Sequence, residues 1–223
     1  MTFYSTYTLE SVLLQIFKIL VLPFIIISLL SAGVIATINI DYFFLENNVS
    51  ERSLTELFQQ LLLLASAGIY TWSATKVAES RTLFILVAGF FGCMFLRELD
   101  FYFDMIVHGF WFYPTILLAS SVIIYSVKHS EYLISSVRSF SQTKAYFNIL
   151  VGLVIIIIFS RLFGSGTLWK EVMNDDYHHV YKTIIQEGLE LFGYLFLFIG
   201  SFHQLRAGQS NKEIKGDNHK LVD

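Results

Sequence analysis

Cysteine is nearly absent from this chain, and charge is scarce. The single cysteine, Cys93, excludes an intrachain disulfide. No run of like charges and no basic stripe offers a surface to nucleic acid, which is therefore set aside as a partner. Serine-hydrolase elbows, HExxH spacings and glycine-rich phosphate loops do not occur, and the "GSG" at Gly164–Gly166 reads as a short turn. With 15% charged residues against 55% hydrophobic ones, and a mean hydropathy of +0.60, the composition lies outside the range of ordinary soluble domains.

What is present comes in blocks. A helix rises about 1.5 Å per residue, so roughly 20 apolar residues cross a hydrocarbon core of about 30 Å. Six blocks approach that length, at residues 19–38, 57–75, 82–103, 106–127, 146–163 and 186–205. The expected fold is all-α: a polytopic integral membrane protein with six transmembrane helices filling residues 1–206. Residues 207–223 form a hydrophilic tail expected to be disordered. The first block follows one lysine rather than a basic cluster and lacks a clean small-residue cleavage site, so it reads as a retained anchor. Pro23 should kink this helix without ending it. "SLTE" (Ser53 to Glu56) is a capping box that starts the second helix.

Lysine and arginine set the expected orientation. Lys18, Lys76, Arg81, Lys128, Arg138, Lys144, Arg206, Lys212, Lys215 and Lys220 fall on one side, whereas the loops of the other side hold Arg52, Lys170 and Lys182. The positive-inside rule then places both termini in the cytoplasm of a plasma membrane or bacterial inner membrane. The outer half gathers acids, among them Asp41, Glu46, Glu51 and Glu56.

Counting residues inward from the cytoplasmic helix ends locates a polar site. Arg97 on the third block, and Arg161 and Glu190 on the fifth and sixth, all lie about 22–24 Å from that side. Glu98 joins this layer. Asp100, Glu187 and Asp104 come further out as an acidic mouth. If the third helix continues that far, Arg97, Asp100, Asp104 and His108 share one face. Glu187, Glu190 and Tyr194 share another, on the sixth helix. Charge facing lipid at the centre of a bilayer costs about 2.5–3.5 kcal/mol, so these groups should turn inward and draw helices 3, 5 and 6 together.

Three uses fit this cluster. The first is a packing-specifying and ligand-binding site open to the outer side, taking a small molecule, an ion or a lipid. The second is proton-coupled transport of a small solute or gating, to which Gln59, Gln60, Ser66 and Ser73 of helix 2 would contribute. The third is a metal-dependent membrane hydrolase at the outer leaflet. It would hold a divalent metal through His108, Asp175, Asp176, His178 and His179, with neighbouring carboxylates. Haem is not expected, because His203 and His108 lie at opposite ends of their spans.

Overall fold

The computed structural model describes residues 9–46 and 52–220, with side chains as far as Ala207. Glu51 and the last three residues of the tail lie outside the described residues, as do the side chains of Lys212, Lys215 and Lys220. Every regular element among the described residues is helical. In chain order these are α1 (Leu9–Phe44), α2 (Leu54–Lys76), α3 (Arg81–Glu98), α4 (Asp100–Asp104), α5 (Phe112–Lys128), α6 (Leu133–Phe140), α7 (Lys144–Phe163), α8 (Gly166–Met173) and α9 (His179–Lys220).

Three of them, α1, α7 and α9 as far as Ala207, are long and apolar enough to cross a membrane. Helix α5 is also apolar but shorter. Helix α2 has twenty-three residues, and Thr55, Glu56, Gln59, Ser66 and Ser73 turn inward. Helix α3 has eighteen and carries Arg81, Arg97 and Glu98. Past Ala207, α9 continues as helix to Lys220, where the composition predicts a disordered tail.

The backbone of α1 shows how a proline fits within a long helix. Pro23 cannot donate to the preceding turn. The turn before it, Phe17–Val21, widens to π geometry, and the Leu22 N–H bonds the Phe17 carbonyl. The helix therefore runs through Pro23 unbroken, as expected. Two more wide turns, Ile40–Phe44 in α1 and Ile155–Phe159 in α7, lie at or beside buried polar residues. Such single-turn bulges often mark places where a helix turns a side chain toward a site.

The third expected span ends early. Its helix stops at Glu98, and Leu99 leaves helical geometry with φ −92° and ψ 10°. The Asp100 carboxylate accepts the Phe101 N–H at 2.7 Å and starts the separate short α4. The fourth span likewise begins at Phe112 rather than near 106, after a run of turns.

Helices α2 and α9 form the middle of the bundle. Helix α3 packs on α2, α5 on α3, α7 on α9, and α1 lies along α2 and α9. Helices α7 and α9 come within backbone contact. A Cβ on Gly152 would sit 2.7 Å from the Gly193 carbonyl oxygen, and one on Gly193 would sit 3.0 Å from the Gly152 oxygen. Small residues allow this approach, and in lipid close packing replaces the hydrophobic drive between helices.

The distribution of polarity is inverted relative to a soluble protein. Ile19, Leu20, Phe24, Leu29 and Ile35 of α1 are exposed, as are Leu117 and Ile123 of α5. Asp41, Thr55, Gln59, Ser66, Glu98, Ser160, Glu190 and Ser201 are buried. An apolar exterior around an interior that holds polar side chains beside an apolar core suits a hydrocarbon solvent.

Candidate functional site: two buried carboxylates

Glu98 and Glu190 are 7% and 3% exposed. Glu98 is the last residue of α3, and its carboxylate oxygen accepts from two sides. The Arg97 guanidinium lies 2.7 Å from Oε1, and the Tyr194 hydroxyl of α9 donates to the same atom at 2.8 Å. The Glu98 carbonyl also accepts from Gln60 Nε2 of α2 at 3.3 Å. Tyr194 reaches back along α9 to Glu98 because helical side chains lean toward the N-terminus of their own helix.

One turn before Tyr194, Glu190 Oε1 accepts from the Ser160 hydroxyl of α7 at 3.1 Å and from Gln186 Nε2 at 3.2 Å. Arg161 stands 3.9 Å from the same oxygen. The wide turn over Ile155–Phe159 precedes Ser160, whose hydroxyl also bonds the Ile156 carbonyl. Glu187, a turn further out, accepts from Gln59 Nε2 of α2 at 3.0 Å. Arg97 lies within charge range of Glu190 and Asp100 as well as Glu98, so the two carboxylates belong to one electrostatic unit.

The two arginines differ from the carboxylates in their access to the surface. The side chains of Arg97 and Arg161 are 42% and 51% exposed, against 6% and 4% for those of Glu98 and Glu190. Each guanidinium thus sits at a rim over a buried acid.

The expected cluster is therefore assembled in its inner part: Arg97, Glu98, Arg161, Glu187, Glu190 and Tyr194. It is assembled by four helices rather than three, because α2 lies among them and contributes Gln59 and Gln60. The expected outer face fails. Once the helix breaks at Leu99, Asp104 and His108 no longer share a face with Arg97. They form an exposed turn of their own, with His108 Nδ1 2.8 Å from Asp104 Oδ2 and the Gly109 N–H donating to Oδ1 at 2.7 Å. Gly109 has φ +79°, a backbone position that glycine takes without strain. The Gly109 amide, and after it His108, hold the Asp104 carboxyl below the ordinary carboxylate range.

The metal-ligand set does not come together either. Asp175 and Asp176 lie exposed on a 3₁₀ turn. His178 packs edge-on against Tyr181, and His179 Nδ1 faces the Thr183 hydroxyl at 3.3 Å. Among the described residues, no three His, Cys, Asp or Glu side chains are grouped to hold a metal ion.

Two contributors are not legible in the sequence as members of a site. Ser160 reads as an ordinary small residue in an apolar run. Asp41 reads only as an outer acid, yet it is fully buried and caps α2. Its carboxylate accepts the Leu54 N–H at 2.7 Å, the Thr55 N–H at 2.8 Å and the Thr55 hydroxyl at 2.6 Å. Ser53 adds the expected cap, accepting the Glu56 N–H at 3.1 Å.

Fold and site together define a class: an all-helical protein with three helices of membrane-crossing length and a carboxylate–arginine cluster inside. No family model, curated protein or solved structure matches the chain.

Proposed function

We propose that this is a six-span protein of a plasma membrane or bacterial inner membrane, with both termini cytoplasmic, and that Glu98 and Glu190 anchor a ligand-binding site open to the outer side. The observation that carries the reading is the split in exposure between buried carboxylates and rim arginines. Charge inside a bilayer is costly and is kept for pairing or for function. Pairing alone would be served by guanidiniums buried beside their acids. Arg97 and Arg161 instead keep about half of each side chain accessible. A guanidinium in that position recognises a carboxylate or phosphate group, a small anionic solute or a lipid headgroup, by paired N–H donors. The buried acids below hold the arginines in place and fix the register of α3, α7 and α9.

The lysine and arginine asymmetry supports the orientation, and the inverted polarity supports the membrane setting. Topology is tested with single cysteines in a Cys93→Ala background. Cysteines replacing Arg52 and Lys170 should react with an impermeant maleimide added outside, and one replacing Arg138 should not. The site is tested by native mass spectrometry of gently solubilised protein. A bound anionic small molecule or lipid should be lost from Arg161→Ala and retained in Lys170→Ala. Equal retention in both variants would remove the ligand reading.

A further inference from the structure

The inward face of α2 is polar for nearly its whole length. Thr55, Gln59, Leu63, Ser66, Tyr70 and Ser73 recur every three or four residues and are all buried, and Leu63 and Ala74 are the aliphatic residues buried with them. Three atoms on this face, Gln59 Oε1, Ser66 Oγ and the Tyr70 hydroxyl, have no hydrogen-bond partner among the described residues. The residues bearing them are fully buried. Buried polar atoms in native proteins are almost always satisfied, by protein groups or by internal water. Three orphans in one file on one helix call for a common explanation.

The neighbouring helices extend the file. Gln59 bonds Glu187, and Phe58 and Leu62 line one groove with Leu191 and Leu195, so α2 and α9 run side by side in the same direction. Along α9, Glu190, Tyr194 and Ser201 are buried as well. From Gln59 to Ser73 the helix rises about 21 Å, most of a hydrocarbon core of about 30 Å. Near the far end the Tyr70 ring is collared by Phe84, Phe91 and Phe140, with centroids 5.8, 5.8 and 6.3 Å away.

We propose that the buried face of α2, where it packs on α3 and α9, holds a file of water molecules that conducts protons between the Glu98–Glu190 site and the opposite face, with the Tyr70 hydroxyl at its narrowest point. A hydroxyl both donates and accepts, so Ser66 and Tyr70 relay a proton without becoming charged for long. Each hop breaks one O–H bond as the next forms. The net result is one proton taken from water at the carboxylate end and one released to water beyond Ser73, with no electron moved. The charged and titratable groups facing the entry are Arg97 of α3, Asp100 of α4, Arg161 of α7, and Glu187, Glu190 and Tyr194 of α9 around Glu98. The file shares its carboxylates with the proposed outer site and otherwise needs only that the bundle cross a bilayer.

The test uses the full-length protein in proteoliposomes with a trapped pH-sensitive dye, an imposed pH difference, and valinomycin with potassium to balance charge. Wild type should collapse the gradient faster than protein-free vesicles. Tyr70→Phe and Ser66→Ala should each slow the protein-dependent rate by about tenfold or more. Thr71→Val, on the exposed side of the same helix, should not change it. Thermal melts of the same variants give a second readout. A dry orphan hydroxyl is destabilising, so its removal would raise the melting temperature, whereas removal of a hydrated one would leave it unchanged or lower it. A wild-type rate no faster than empty vesicles overturns the proposal, as do unchanged rates in both hydroxyl variants or a raised melting temperature in both. Loss of flux with the Arg161-dependent ligand still bound refutes the file alone. Intact flux with no bound ligand refutes the outer site alone.

Discussion

Tyr194 donates its phenolic proton to Glu98 at 2.8 Å, joining two helices whose residues lie ninety-six positions apart in the chain. Both side chains are buried, and this bond is a direct polar link between α3 and α9. A double-mutant cycle of Tyr194→Phe and Glu98→Gln, read by thermal unfolding in detergent, should therefore show a coupling of about 1–2 kcal/mol. Additive single effects would mean that the hydroxyl holds nothing together.

Arg97 and Glu98 are neighbours in sequence, yet their pairing leaves the acid inside and the base at the rim. Removing Arg97 alone takes the nearest cation from the buried Glu98 carboxylate. Arg97→Ala should thus lose more folded protein than the Arg97→Ala, Glu98→Gln double variant, because it leaves a buried carboxylate without its rim cation. Size-exclusion yield after solubilisation ranks the two.

Asp41 satisfies two amide groups at the start of α2 and one hydroxyl. Asp41→Ala leaves those donors buried and unpaired, at about 1–3 kcal/mol for each unsatisfied group. Ser53→Ala removes a single cap, costing about 1 kcal/mol. The melting temperature should fall further for the Asp41 variant than for the Ser53 variant.

Glycines in this bundle divide into two kinds. Gly193 faces the opposing backbone of α7, whereas a side chain on Gly68 would meet nothing within 4 Å. Gly193→Val should disrupt the contact between α7 and α9 and give aggregated or degraded protein. Gly68→Ala should leave the fold intact and stabilise α2 by about 0.5–1 kcal/mol.

The turn at Asp104 should respond to acid. Its carboxyl is held below the ordinary range in the folded state, so its contribution is present at neutral pH and is lost as pH falls through the lowered folded value. The amide resonance of Gly109 should report that titration, and Asp104→Asn should abolish it. His108→Ala should leave most of the depression, since the Gly109 amide is its larger cause.

Depth along a helix is legible in sequence because the rise per residue hardly varies. That is why counting from the helix ends on the lysine- and arginine-rich side brings Glu98, Arg161 and Glu190 together. Direction around the helix is not legible past Leu99. The break there is a backbone choice, accompanied by the Asp100 carboxylate accepting the Phe101 N–H, in a run of residue types that would serve equally well in a continuous helix. Gln59 and Gln60 stand out as polar residues in an apolar block. Which of them turns fully inward depends on which helices flank α2, a fact of packing rather than of local sequence. Asp41 escapes a sequence reading for a related reason: an acid near a loop is usually wet, and only the position of α2 relative to the end of α1 makes it a cap.

The Asp41 clasp bears on the order in which the protein is put together. Its partners lie thirteen and fourteen residues downstream, whereas the bond between Glu98 and Tyr194 cannot form until α9 has been made. Most of α1 is exposed, and its buried residues, Val34, Thr37 and Asp41, come in its last third. The first helix can therefore latch onto the second as soon as Thr55 leaves the ribosome, well before the carboxylate core exists. A hairpin of α1 and α2 is the natural earliest intermediate of assembly, and replacing Asp41 should expose that intermediate to proteases.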